Sequence, residues 1–133
     1  TDERTIIMRD IVSNIGVVTA IAPAVLAATT TGAALDLLGF GSAAFVITTG
    51  AIAGDGDFTA KVQDSDDGAT FADVPADQLQ GEFPASLEAD DVVKVGYAGF
   101  KRHVRLVVTK NSGTSIAASA VLVKGNAAER PVI

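Results

Sequence analysis

The chain has no cysteine and no tryptophan, and only one histidine, one tyrosine and one methionine among its 133 residues. Without cysteine it forms neither disulfides nor thiolate metal sites. The lone histidine, His103, leaves a zinc or other transition-metal site short of ligands. Having Tyr97 but no tryptophan disfavours a sugar-binding surface, which needs rings to stack on. Basic residues are scarce too. Ten Lys and Arg against sixteen Asp and Glu give a net charge of −6, which works against general affinity for nucleic acid. Long apolar runs are also missing. The longest, from Ile15 to Ala28, contains Thr19 and is interrupted by Pro23. It falls short of the roughly 20 residues that a spanning helix needs. It has neither the basic flank nor the layout of a signal peptide. Thr1 in first place fits removal of an initiator methionine. The expectation is a soluble protein, not bound to membrane, made in the cytoplasm.

What is present favours strands. The aliphatic residues are mostly Ala and Val, and 13 glycines and many threonines punctuate them. That mixture suits strands and turns better than long helices. The length fits one domain with a real core. From Phe58 to Val74 the pattern is strand, acidic turn, strand. Phe58, Ala60 and Val62 alternate with Thr59, Lys61 and Gln63. Asp64 to Gly68 supplies residues that tolerate left-handed dihedrals, and Phe71 and Val74 resume the apolar pattern. Ala43 to Thr49 is an apolar run between glycines, read as a central strand buried on both faces. Val92 to Tyr97, His103 to Lys110 and Ser115 to Lys124 read as further strands, separated by turn residues. Pro75 to Leu79 reads as one helical turn.

The expected fold is all-β, a β-sandwich or jelly roll with a short N-terminal arm. The arm covers residues 1–16 and the sandwich residues 17–133. The predicted core is Phe45, Ile47, Val62, Phe71, Val104, Leu106, Val108, Val121 and Val123. In the arm, Ile7, Ile11 and Val12 share a helical face, or Ile6 and Met8 share one face of a strand; periodicity fits both.

Charge is segregated along the chain. From Asp55 to Asp91 there are eleven acidic residues against Lys61 alone, a net of −10. From Val92 onward there are seven basic residues against Glu129 alone, a net of +6. These are either two solvated faces or complementary patches that meet between neighbouring copies or on a partner.

Catalytic and ligand motifs are weak. Asp64, Asp66 and Asp67 invite a calcium reading, but Gly68 stands at a ligand position and no glutamate closes the loop. His103 with abundant Ser and Asp makes no triad without a nucleophile elbow. Gly39-Phe40-Gly41 and Gly54-Asp55-Gly56 lack the spacing and the Lys-Ser/Thr ending of phosphate loops. Lys101, Arg102 and Arg105 form a small basic patch beside Tyr97 and Phe100. Base stacking is conceivable there, though the acidity of the whole chain opposes it. The candidate partner-interface residues are Ile6, Ile7, Met8 and Ile11 in the arm, and Lys101, Arg102 and Arg105 in the basic patch.

Four segments in order, LDLLGFGSAAFVITTG, KVQDSDDGATFADVPADQLQG, KVGYAGFKRHVRLVVTK and SAVLVKGNAAERPV, resemble short structural proteins of tailed bacteriophages. The resemblance runs from about Gly32 to Val132 and points to capsid decoration, or cement, proteins. It implies a sandwich or jelly roll, many copies on the head exterior, and bridging of neighbouring capsid subunits. The implied partners are the major capsid protein and further copies of the chain, as a dimer or trimer. It implies no enzyme activity, no catalytic residues and no cofactor. A tail, neck or baseplate component is the alternative role, with a small carbohydrate-binding sandwich behind it. The first 31 residues lie outside the resemblance, so the arm's role rests on its own residues.

Overall fold

The alternation of Phe58, Ala60 and Val62 with polar neighbours becomes a half-buried strand, and nearly every element follows that logic. The structure, a computed structural model, describes residues 11–128. Ile6, Ile7 and Met8 lie outside the described residues. Ten strands follow in order: β1 (Gly16–Leu26), β2 (Thr30–Thr31), β3 (Leu35–Asp36), β4 (Phe40–Ala53), β5 (Asp57–Ser65), β6 (Ala72–Asp73), β7 (Leu79–Gln80), β8 (Val92–Tyr97), β9 (His103–Ser112) and β10 (Ser115–Ala127). Two single 3-10 turns, Val12–Asn14 and Ala76–Gln78, are the only helical pieces among the described residues.

The strands form two antiparallel sheets. Sheet A has the order β1-β10-β4-β8-β7, and sheet B the order β2-β9-β5-β6, with β3 also on β9. This is the expected all-β sandwich. Chain connections cross between the sheets at both ends. At one end Gly54 and Asp55, both in left-handed conformation, carry β4 into β5. Gly113 turns β9 into β10 beside them, and a Cβ there would lie 2.3 Å from the Asp55 carbonyl oxygen. At the other end, residues 37–39 link β3 to β4 and residues 98–102 link β8 to β9.

The core lies between the sheets. Phe45, Ile47, Val95, Ile116 and Leu122 fill it from sheet A, and Phe58, Val62, Val104, Leu106 and Val108 from sheet B. Six of the nine predicted core residues are buried there. Phe71, Val121 and Val123 are not. On β10 the inward phase is Ile116, Ala118, Ala120 and Leu122, which puts Val121 and Val123 on the outer face. The run around them is aliphatic on both phases, so alternation alone did not mark the inner side. Phe71 lies outside the strands and its ring stacks under the Arg105 guanidinium, 4.2 Å from charge centre to ring centroid. β4 is central in its sheet as predicted, but it is not buried on both faces. Phe45 and Ile47 point inward while Ala44 and Val46 are partly exposed. The predicted second arm of the acidic hairpin shrinks to the two residues of β6.

Candidate functional site

The end of the sandwich where β3 meets β4 and β8 meets β9 is open. An open depression of about 360 Å³ lies there, lined by Leu37, Leu38, Phe40, Tyr97, Phe100 and the basic pair Lys101 and Arg102. Two large apolar side chains stand out of its rim: Phe100 is 83% exposed and Leu38 is 68% exposed. Scattered exposed leucines are ordinary on protein surfaces. Two such side chains flanking one depression form a patch, and patches mark contact surfaces.

Both rim loops are held by polar contacts. Arg102 donates to both carboxylate oxygens of Asp36, Nε to Oδ1 at 2.9 Å and Nη2 to Oδ2 at 2.7 Å. The Leu38 amide donates to the same Oδ1 at 2.9 Å. The Leu37 amide donates to the Arg102 carbonyl at 2.8 Å, and the Phe40 amide to the Leu37 carbonyl at 3.0 Å. The Arg102 guanidinium, followed by the Leu38 amide, holds the Asp36 carboxyl well below the usual carboxylate range. Lys124 places its ammonium 4.6 Å from the Phe40 ring centroid.

The second loop is built on Tyr97. Its buried hydroxyl donates to Asp64 Oδ2 at 2.7 Å, tying sheet A to sheet B. The same oxygen accepts the Lys101 amide at 3.1 Å. Lys101 Nζ lies 3.9 Å from Asp64 Oδ1. Burial, then the hydrogen bond to Asp64, pushes the Tyr97 hydroxyl up to about 12. Gly99 makes the loop possible: a Cβ there would fall 2.4 Å from the Tyr97 hydroxyl oxygen. The chain thus folds directly over the phenol ring and leaves Phe100 pointing outward.

Of the sequence-predicted interface residues, Lys101 and Arg102 come together at this depression. Both face acidic side chains of their own chain, so part of the charge segregation closes internally. Arg105 does not join them. It sits on sheet B, where its Nε donates to Gln63 Oε1 at 2.8 Å. Ile11, 69% exposed, precedes β1. The chain enters β1 at Gly16, where a Cβ would lie 3.0 Å from the Phe40 ring. The arm therefore leaves the sandwich beside the depression. Leu38 and Phe40 are not among the predicted interface residues, and in sequence Phe100 is only a neighbour of the basic patch. The available signal was the placement of large apolar residues in glycine-bracketed loops, Leu38-Gly39-Phe40-Gly41 and Gly99-Phe100.

The acidic turn is self-contained. Asp67 Oδ1 accepts the Ala69 and Thr70 amides, each at 2.9 Å, and the Ser65 hydroxyl at 2.8 Å. These bonds, the Thr70 amide first, lower the Asp67 carboxyl to about 2. Among the described residues no helix is long and apolar enough to cross a membrane.

No protein-family model matches the chain, and no curated protein does. Among solved structures, the chain is similar to one in the structure of infectious bursal disease virus Gx strain, with a TM-score of 0.43 and 16% sequence identity. The match covers 87% of this chain and 34% of that one, so this chain spans about a third of its neighbour's length.

Proposed function

We propose that the chain is a virion structural protein, a decoration or cement protein that binds the exterior of a tailed-phage head and stabilises the shell. The observation that carries this reading is the pair of apolar side chains, Leu38 and Phe100, held out on fastened loops around an open depression. Anchors that are already ordered lose little freedom on docking, so more of their burial appears as affinity. An aromatic anchor beside a cationic rim is also the composition in which binding energy concentrates. Lys101 and Arg102 at that rim steer association toward an acidic surface of the major capsid protein. The resemblance of four ordered segments to phage structural proteins supports the same role.

The physics of a cement follows from linkage. A protein that binds the expanded shell and not its collapsed or broken forms stabilises the expanded one. Many weak contacts per particle then add through multivalency. This role is not enzymatic and takes no cofactor. Ile11 and the root of β1 at Gly16, beside Phe40, belong to the same assembly surface. The test is the position of the protein in a density map of intact particles. Density on the head exterior, with Phe100 facing a capsid subunit, is expected. Density confined to tail, neck or baseplate overturns the head assignment.

A further inference from the structure

The outer faces of the two sheets differ in kind. Sheet B presents mostly polar side chains: Gln63 lies between Arg105 on β9 and Asp73 on β6, and Lys61 lies beside Val107, which is itself buried. Sheet A presents aliphatic ones. In register, Val17, Val123 and Ala44 form one row, and Val121 and Val46 lie in the next. Leu122 between the two β10 valines and Phe45 between Ala44 and Val46 are buried, so these rows point away from the core. Val17 is 55% exposed. An antiparallel sheet with one wet face ordinarily carries polar residues there.

Around this aliphatic centre lies a largely polar margin. Thr19 continues the second row on β1, and Ser119 and Thr48 pair in the row beyond, which Val92, 63% exposed, extends on β8. Lys94 pairs with Val46 on the far side, and Gln80 lies over Gly96 along the β7 edge. Lys94 is the charged residue at these outward positions among the described residues. An apolar centre with a polar, hydrated rim is the anatomy of a protein–protein interface.

We propose that the outer face of sheet A is the contact surface between two copies of this chain, packed sheet on sheet. A surface almost free of charge offers nothing to select an oppositely charged partner, but it is complementary to itself. A two-fold axis puts the same patch on both sides, as isologous dimers require. The small side chain at Ala44 keeps the centre of the surface flat enough for a second sheet to lie on it. The size also fits. Three strands of at least ten residues and the six-residue β8, about 4.8 Å apart, give on the order of 600 Å² per copy, enough for a specific dimer to clear about 1,000 Å² in total. The contact is separate from the open end and does not depend on the capsid-binding role.

The test uses the full chain in free solution, without particles. Sedimentation across a concentration series is expected to show a reversible dimer. Val46→Glu should leave it monomeric. A gentler double variant, Val46→Thr with Val121→Thr, keeps β-forming side chains and should weaken the dimer roughly tenfold or more. A monomer at every concentration, or a dimer indifferent to the double variant, overturns the proposal. Because the chain has no cysteine, Val121→Cys gives a single reporter thiol. Its labelling should slow as concentration rises. Protection that does not change with concentration would mean that a segment of the same chain covers the face, and would overturn the proposal as well.

Discussion

The Tyr97 hydroxyl on sheet A donates a hydrogen bond to Asp64 Oδ2 on sheet B, at 2.7 Å and buried. The bond closes the sandwich at its open end and fixes the loop that carries Phe100. Removing the donor leaves a buried carboxylate with only the more distant Lys101 ammonium beside it. Tyr97→Phe is therefore expected to cost about 1–3 kcal/mol in denaturant melts, the penalty of an unsatisfied buried polar group. Folding also raises the Tyr97 pKa from the ordinary 10.0 to about 12. A raised pKa means that the stabilisation is complete below pH 10.0 and is lost as pH climbs toward 12. Wild type should lose stability across that window. Tyr97→Phe should lose markedly less there, and an identical alkaline limb in the two proteins would contradict the assignment.

The Asp36–Arg102 pair makes the opposite prediction in acid. Folding lowers the Asp36 pKa below its ordinary 3.8, so its contribution is present above that value and fades as pH falls. Carbon-detected NMR should find the Asp36 carboxyl still ionised well below pH 3.8. The pair is exposed, and exposed ion pairs contribute little to global stability. Asp36→Ala should accordingly leave the melt almost unchanged. It removes the acceptor of the Leu38 amide and the partner of Arg102, so exchange of that amide should quicken. Unchanged exchange would show that the loop is held by backbone contacts alone.

How far the core was readable from sequence depended on whether one phase of a strand was polar. On β5, Thr59, Lys61 and Gln63 marked the outside, and Phe58, Ala60 and Val62 are indeed inside. On β9, Arg105 and Thr109 did the same for Leu106. On β10 the polar marks conflict: Ser119 shares the outer phase of Val121 and Val123, while Lys124 shares the phase of Ala120 and Leu122 inside. Only pairing with β4, where Leu122 faces Phe45, sets the phase. Leu122→Ala should therefore cost about 2–5 kcal/mol, as should Leu106→Ala. Val123→Ala, measured at high dilution, should cost under about 1 kcal/mol. The reverse order would restore the phase predicted from sequence.

The open end was less legible for a different reason. Asp36 and Arg102 lie 66 residues apart, and Tyr97 and Asp64 lie 33 apart. Their meeting depends on strand order and register, which one sequence does not state. The sequence showed Lys101, Arg102 and Arg105 as one basic run. The pleat sends Arg105 onto sheet B and bends the other two toward acidic partners. What remains outward is the apolar pair flanking them, Leu38 and Phe100.

Phe100 is exposed, sits in a loop and fills no part of the core, so its removal should leave folding intact. Phe100→Ala is expected to keep the thermal midpoint of the free protein within error. If the side chain anchors the protein to the capsid, the same change should weaken particle binding by about 2 kcal/mol or more, roughly thirtyfold. Leu38→Ser should act in the same direction and more weakly. Charge reversal at Arg102, whose partner Asp36 is itself exposed, should mainly slow association and flatten its salt dependence, as rim charges do. Arg105→Glu serves as a control on another face and should change neither, although the sequence had grouped it with Lys101. The measurement is occupancy on expanded particles stripped of the protein, titrated at low and high salt. Full occupancy by Phe100→Ala with Leu38→Ser, at wild-type affinity, would remove the open end from the binding surface.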